Sequence, residues 1–179
     1  MSSKADLKRL HIIQTAIQYL KDNDVSTLTL DKIASRGNIS KGGLLYHFKT
    51  KDALQTAIAE TILNDVMHLY EHLASQEQGT GRLTRAFILA SQKDLAKGAS
   101  LNIAIQILQQ DHASIASAYE CLLEELFEDG LEVSIVHLIR LTIDGLYYSK
   151  RLNIAPISTE AIEGVFEQLM QMTRKEYHI

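Results

Sequence analysis

Apolar residues recur every three or four positions along most of the chain, and that spacing predicts helix. Leu10, Ile13, Ile17 and Leu20 line one face of a first helix, which gives out in the polar stretch Lys21-Asp22-Asn23-Asp24. Thr29 stands where an N-cap belongs, ahead of a short helix from Leu30 to Arg36, and Asp31 in its first turn suits the helix dipole. Gly37-Asn38 follows, two residues that tolerate positive φ and so predict a stop and a tight turn. Ser40 can cap another short helix over about 41–47. Thr50 can cap a long one, on which Leu54, Ile58, Ile62, Val66, Leu69 and Leu73 form one stripe.

Gln76 to Gly81 (Gln-Glu-Gln-Gly-Thr-Gly) is the clearest linker, followed by a helix from about Arg82 to Ala96 that ends at Lys97-Gly98. Leu101 to Ile107 alternates like a strand, but no partner strand is visible, so it is expected as a short buried helix. Ile115, Tyr119, Leu122, Leu123, Leu126 and Phe127 form a further stripe, closed by Asp129-Gly130. The most regular ladder runs through Ile135, Leu138, Ile139, Thr142, Ile143, Leu146 and Tyr147, until Asn153 to Pro156 breaks it. Ser158 can cap a last helix carrying Ile162, Val165, Phe166, Leu169 and Met170 on one side. The expected fold is all-α: about nine helices, a three-helix head with a long fourth helix leaving it, then a larger helical body.

Composition narrows the function classes. The 179 residues are 46% hydrophobic and 22% charged, enough to bury a core. The single Cys121 cannot form an internal disulfide, the first ten residues are broken by Lys4, Asp6, Lys8 and Arg9, and no apolar run is long enough to span a bilayer; a cytoplasmic location without membrane contact is expected. Residues 1–60 hold nine Lys/Arg against six Asp/Glu, a balance of +3, while residues 61–179 hold nine against sixteen, a balance of −7. A basic first third on an acidic remainder points the first third at a polyanion.

The chemistry concentrates there. Two short helices joined by a turn, after a longer helix, is the helix-turn-helix plan, which places its second helix in the DNA major groove. That helix would be Lys41-Gly42-Gly43-Leu44-Leu45-Tyr46-His47. Its two glycines are poor helix formers, useful where a helix must approach DNA closely. Lys41 can reach a phosphate or a guanine edge. Tyr46, His47, Lys49 and Lys51 supply donors at the far end, and Thr29 and Ser40 offer hydroxyls at helix starts.

The run Thr29-Leu-Asp-Lys-Ile33-Ala34-Ser-Arg-Gly37-Asn-Ile39-Ser40-Lys41-Gly42-Gly43-Leu44-Leu-Tyr46-His47-Phe48-Lys-Thr-Lys51-Asp52-Ala-Leu54 resembles the DNA-binding head of TetR-family transcriptional regulators over roughly residues 10–58. It departs at Gly37-Asn38, where Ala-Gly is usual, at Gly43, where Thr or Ala is frequent, and at Leu45, where Tyr is common. Tyr46 follows one step later, so whether Tyr46 or His47 meets phosphate stays open. The resemblance implies a DNA-binding domain over 1–50 and a helical effector-binding and dimerisation domain over 51–179. It implies a homodimer through the last two helices, with Ile135, Leu138, Ile139, Thr142, Leu146, Ile162, Phe166 and Leu169 at the interface. It also implies a small-molecule pocket among the middle helices, for which Phe87, His112, Tyr119 and Tyr148 are candidates. The expected function is a ligand-responsive repressor that binds a near-palindromic operator and is released by a small molecule.

Other chemistry finds little support. No nucleophile elbow, P-loop, dinucleotide fingerprint or HExxH is present, and neither enzymatic activity nor a cofactor is expected. His68 and His72 stand at metal-ligand spacing, but no third ligand is evident and no metal is expected. Arg140 and Asp144, at i and i+4, suit an outer-face pair or polar anchors in a pocket or dimer. The alternative to the repressor is a helical interaction module that uses the ladder Ile135 to Tyr147 as its partner face.

Overall fold

The computed structural model describes residues 3–108 and 112–174, with the side chains of 112–118 left aside. The described residues form nine α-helices and one 3-10 turn: α1 (Lys4–Leu20), the turn Val25–Thr27, α2 (Leu30–Arg36), α3 (Lys41–His47), α4 (Lys51–Gln76), α5 (Arg82–Ala96), α6 (Ser100–Ile107), α7 (His112–Phe127), α8 (Val133–Leu152) and α9 (Thr159–Met172). Strands are absent from the described residues.

Side-chain caps set most of the boundaries. Ser3 and Asp6 close a reciprocal capping box on α1. Thr29 Oγ1 accepts from Lys32 N, Ser40 Oγ from Gly43 N, Thr50 Oγ1 from Ala53 N and Ser158 Oγ from Ala161 N. Asp24 caps the 3-10 turn through Ser26 N, a turn that the hydrophobic spacing did not announce. In the bend between α2 and α3 it is Asn38 that takes the left-handed φ of 50°. Gly37 serves close approach instead, since a Cβ there would meet Ile39 Cδ1 at 3.0 Å and the Ile33 carbonyl at 3.2 Å. Asn153, also at φ 50°, ends α8 in the left-handed cap that Asn tolerates, with Pro156 soon after.

The chain divides into two compact units. The first takes in the chain as far as Asp65 together with Ser100–His112; the second takes in Val66–Ala99 and Ala113–Ile179. The first unit has an apolar core: Ile12, Ile13, Ala16 and Leu20 of α1, Leu28, Ile33 of α2, Leu44 of α3, Phe48, and Leu54, Ile58 and Ile62 of α4. Helix α6 joins it, packing on α1 and the 3-10 turn with Ile103 and Ala104 buried. The alternating pattern of 101–107 is therefore a helix, as a segment with no pairing strand must be to satisfy its backbone.

In the second unit Tyr70, Leu73 and Ala74 of α4 pack on Ala86 and Ala90 of α5. Helix α5 also meets α8 and α9, where Ile139, Ile143 and Phe166 are fully buried. Polar groups enter this core. Arg85, 5% exposed, donates from Nε to Glu77 Oε2 at 2.6 Å, from Nη1 to the Thr80 carbonyl at 2.9 Å and from Nη2 to the Gln78 carbonyl at 2.7 Å. Asp129 receives Thr84 N and Oγ1 at 2.8 and 3.0 Å, and its carbonyl accepts from Gly81 N at 2.9 Å. The stretch 77–81, a linker by composition, is thus clamped from both sides.

Candidate nucleic-acid interface

Helix α3 is held by two anchors one turn apart. Leu44 is 1% exposed and Phe48 is 2% exposed. Each such burial is worth roughly 1.5–3 kcal/mol. Their i, i+4 spacing turns Lys41, Gly42, Leu45 and Tyr46 to solvent, with Lys49 just beyond. Tyr46 is 79% exposed, the most exposed of the large apolar and aromatic side chains described, and its ring meets the half-buried His47 edge-on at 5.1 Å. Lys41 Nζ lies 2.9 Å from Asp31 Oδ1, with both side chains about two-thirds exposed (67% and 69%), so water screens the pair.

Of the other expected contact residues, Thr29 and Ser40 are exposed beside the caps they form, and Gly43 and Lys51 are half-buried. Lys51 Nζ donates to the Ser26 carbonyl at 3.2 Å. The two glycines of α3 separate. A Cβ on Gly43 would meet Ser40 Oγ at 3.0 Å and Ile39 Cγ2 at 3.4 Å, so a side chain there presses on the Ser40 cap. A Cβ on Gly42 would meet nothing within 4 Å.

Helix α1 brings in residues that spacing did not assign to this face. Lys8 Nζ comes within 3.6 Å of where a Gly43 Cβ would stand, the Arg9 guanidinium lies 5.1 Å from the Phe48 ring centroid, and His11 Nε2 bonds the Gly37 carbonyl at 3.1 Å. Their only sequence signal is the cation excess of the first residues. Behind the face, Tyr19 Oη bonds Thr27 Oγ1 at 2.9 Å, and Lys32 Nζ reaches Tyr19 Oη at 3.4 Å. The Thr27 hydrogen bond, aided by Lys32 and Arg36, draws the Tyr19 phenol below its usual pKa.

Residues 12–58 match the family model described as bacterial regulatory proteins, tetR family, and residues 81–174 match the tetracyclin repressor-like C-terminal domain. The chain belongs to the TetR family. It is 39% identical over 57 residues to the tetracycline repressor protein class C of Escherichia coli; the match covers 32% of this chain and about a quarter, 26%, of that relative's length. Among solved structures, a TetR-family member from Streptomyces coelicolor A3 superposes with a TM-score of 0.60 at 18% identity, covering 90% of this chain and 97% of the other. The multidrug binding protein EbrR, complexed with imidazole, gives 0.59 at 16% identity, with 99% and 96% covered. A protein described as the superantigen PfiT gives 0.64 at 19%, with 96% and 98% covered. At these identities the likeness is one of fold.

In this TetR-family chain the body's expected residues fall in three different settings. Phe87 is half-buried against the Tyr70 cluster. Tyr119 Oη donates to Asp144 Oδ1 at 2.7 Å under the Arg140 guanidinium, whose Nε is 3.2 Å from Asp144 Oδ2. That contact places Arg140 and Asp144 in a partly buried network on α7 and α8. Tyr148 instead faces out, 65% exposed, because helical phase turns its neighbour Tyr147 inward, where the hydroxyl donates to Asp94 Oδ2 at 2.9 Å. The His112 side chain lies outside the described residues. Of the expected interface set, Ile135, Ile139, Leu146, Phe166 and Leu169 are buried within the chain's own core, Thr142 and Ile162 are half-buried, and Leu138 is 52% exposed. The ladder's regularity marked the inward face of α8 and α9. The outward apolar stripe of α8 is Leu138, Leu141, Tyr148 and Leu152, with Gly145 between. His68 and His72 are exposed, and no group of three or more potential metal ligands occurs among the described residues. No described helix is long and apolar enough to cross a membrane.

Proposed function

We propose that this chain is a homodimeric transcriptional repressor that binds a near-palindromic DNA operator and lets go when a small molecule occupies its helical body. The observation that carries this reading is the α3 face. Two buried anchors fix a helix whose outward side shows a lysine, an open glycine and an exposed tyrosine. Lys41, Tyr46 and Lys49 make the first contacts, with Lys8 of α1 beside them and Thr29, Ser40, Gly42, Gly43, His47 and Lys51 around them. The exposed Tyr46 meets phosphate in preference to His47. Two such heads lie about one helical turn of DNA apart, ~34–36 Å or somewhat more.

The dimer forms through α8 and α9. Leu138, Leu141, Gly145, Tyr148 and Leu152 stand three and four residues apart in turn, the spacing of a helix seam. This stripe takes the place of the inward residues of the same helix. Effector binding is assigned near Phe87 and Tyr119, the two expected pocket residues that the body half-buries. DNA binding is assigned to residues 1–50 and effector binding and dimerisation to 51–179, and the protein acts in the cytoplasm.

The test is a salt series of binding to the DNA upstream of the protein's own gene, read by fluorescence anisotropy. Affinity should fall linearly on a log–log plot, and one site should outcompete random DNA. Lys41→Glu should abolish that preference. Indifference to sequence at every salt concentration, with Lys41→Glu silent, would favour an interaction module that kept the head's fold without its DNA use.

A further inference from the structure

One cavity in the second unit lies apart from the α3 face and from the residues expected around the effector, although Leu146 and Ile162 of the expected interface set border it. It lies where α5, α8 and α9 meet and has a volume of about 440 Å³, within the roughly 300–1,000 Å³ of small-molecule sites. Leu95, Ala96, Leu146, Ile157 and Ile162 give it an apolar lining. None of the residues expected around the effector (Phe87, Tyr119, His112, Tyr148) borders it.

Its polar groups are few and unequal. Lys150 brings an ammonium to the wall and donates to the Leu95 carbonyl at 3.0 Å, at the end of α5. An ammonium has three donors, so that bond leaves two for another acceptor. Glu163 also lines the cavity, yet no described ion pair joins it to Lys150. The segment Asn153–Thr159 runs along the cavity's edge and is held in an unusual shape. Ala155 takes a left-handed φ of 46° that its Cβ disfavours, and Ser149 Oγ donates to the Ile154 carbonyl at 3.3 Å. Strain of this kind persists only where surroundings impose it, and ligand clamps are one such place.

We propose that this cavity is a second small-molecule site, built for an amphiphile with one carboxylate: the acid on Lys150, the hydrocarbon against Leu95, Ala96, Leu146 and Ile162. The lone ammonium favours an anion, and Glu163 on the same lining disfavours a head group with two negative charges. The site needs no DNA, and its test reads ligand binding alone, so its failure is distinguishable from failure of the repressor reading.

The chain contains no tryptophan, so Ile157→Trp, at a rim position that is 44% exposed, gives a single reporter indole. Decanoate is the probe. Its addition should shift the emission saturably, with half-saturation well below about 1 mM. In the same background Lys150→Met should weaken binding at least tenfold and Glu163→Gln should tighten it. Ala96→Phe, at an exposed helical position, should fill the cavity and remove the response. Decanol, equal in chain length and uncharged, should bind more weakly than decanoate and be indifferent to Lys150→Met. A response that survives Ala96→Phe, or no saturable response at all, overturns the site. Equal affinity for decanol and decanoate overturns the head-group assignment.

Discussion

The two units solve the burial of polar chemistry in opposite ways. Among the described residues of the head every fully buried side chain is apolar or aromatic, and the proposed DNA contacts Lys41, Tyr46 and Lys49 stand in water. In the second unit Thr84, Arg85, Ser91, Asp94 and Thr173 are all buried, each among helices with partners at hand. A surface that meets a polyanion needs its cations solvated and mobile until the partner arrives. A helical body that must keep a defined shape gains specificity from polar groups fixed inside, where a low dielectric strengthens each bond and penalises each loss. The tyrosines show the contrast. Tyr19 of the head is drawn below its usual pKa by the Thr27 hydrogen bond. Burial, backed by Glu125, Asp144 and Asp94 in turn, pushes Tyr70, Tyr119 and Tyr147 of the body up.

The sharpest way to break this contrast is Arg85→Met. It leaves Glu77 and two carbonyls without their donor and should cost about 3 kcal/mol of stability, read by urea unfolding. Next, Tyr147→Phe removes a hydrogen bond to a carboxylate and should cost about 1.5–3 kcal/mol, while Tyr148→Phe should stay within about 0.5 kcal/mol. The same tyrosines set an alkaline limit. An unfolded phenol ionises near pH ~10, whereas the buried ones keep their protons. The unfolded state therefore loses protons that the native state retains, so the contribution of Tyr70, Tyr119 and Tyr147 to stability is full below about pH 10 and should be lost as pH rises above it. Urea midpoints from pH 8 to ~11 check this, and Tyr147→Phe should flatten the fall.

In the head the expected effects move from stability to binding. Lys41→Ala should leave the urea midpoint nearly unchanged and reduce the salt slope of DNA binding by about 1. The smallest effect divides the two glycines. Gly42→Ala should stabilise the fold by up to about 1 kcal/mol, since a methyl there meets nothing, while weakening DNA binding. Gly43→Ala should destabilise, because its methyl presses on the Ser40 cap. Equal stability changes at the two positions would show that the 3.0 Å approach to Ser40 Oγ carries no constraint.

How far each region was legible follows from the same contrast. The head's helices, caps and outward residues could be read locally, since N-caps act over three residues and anchors over four. Lys8 and His11 escaped because their relevance comes from α1 packing beside a helix more than twenty residues on, a distance no local pattern spans. In the body the helices were legible and the directions of their faces were not. A ladder such as Ile135 to Tyr147 shows that one side is apolar, but a helix with two apolar sides offers no rule for which meets its own chain. Hence the inward residues were expected at an interface, and Tyr148 in a pocket, although it is Tyr147 that turns inward.

By itself, then, the sequence determined the elements and the family. Helical periodicity and capping are short-range properties, and the motif from Thr29 to Leu54 is contiguous. Tertiary structure alone decided which glycine of α3 is crowded, which tyrosine turns inward, and that Glu77 to Gly81 is clamped by Arg85 and Asp129. Each of those depends on the distance between groups on different elements, and that distance exists only once the chain has packed.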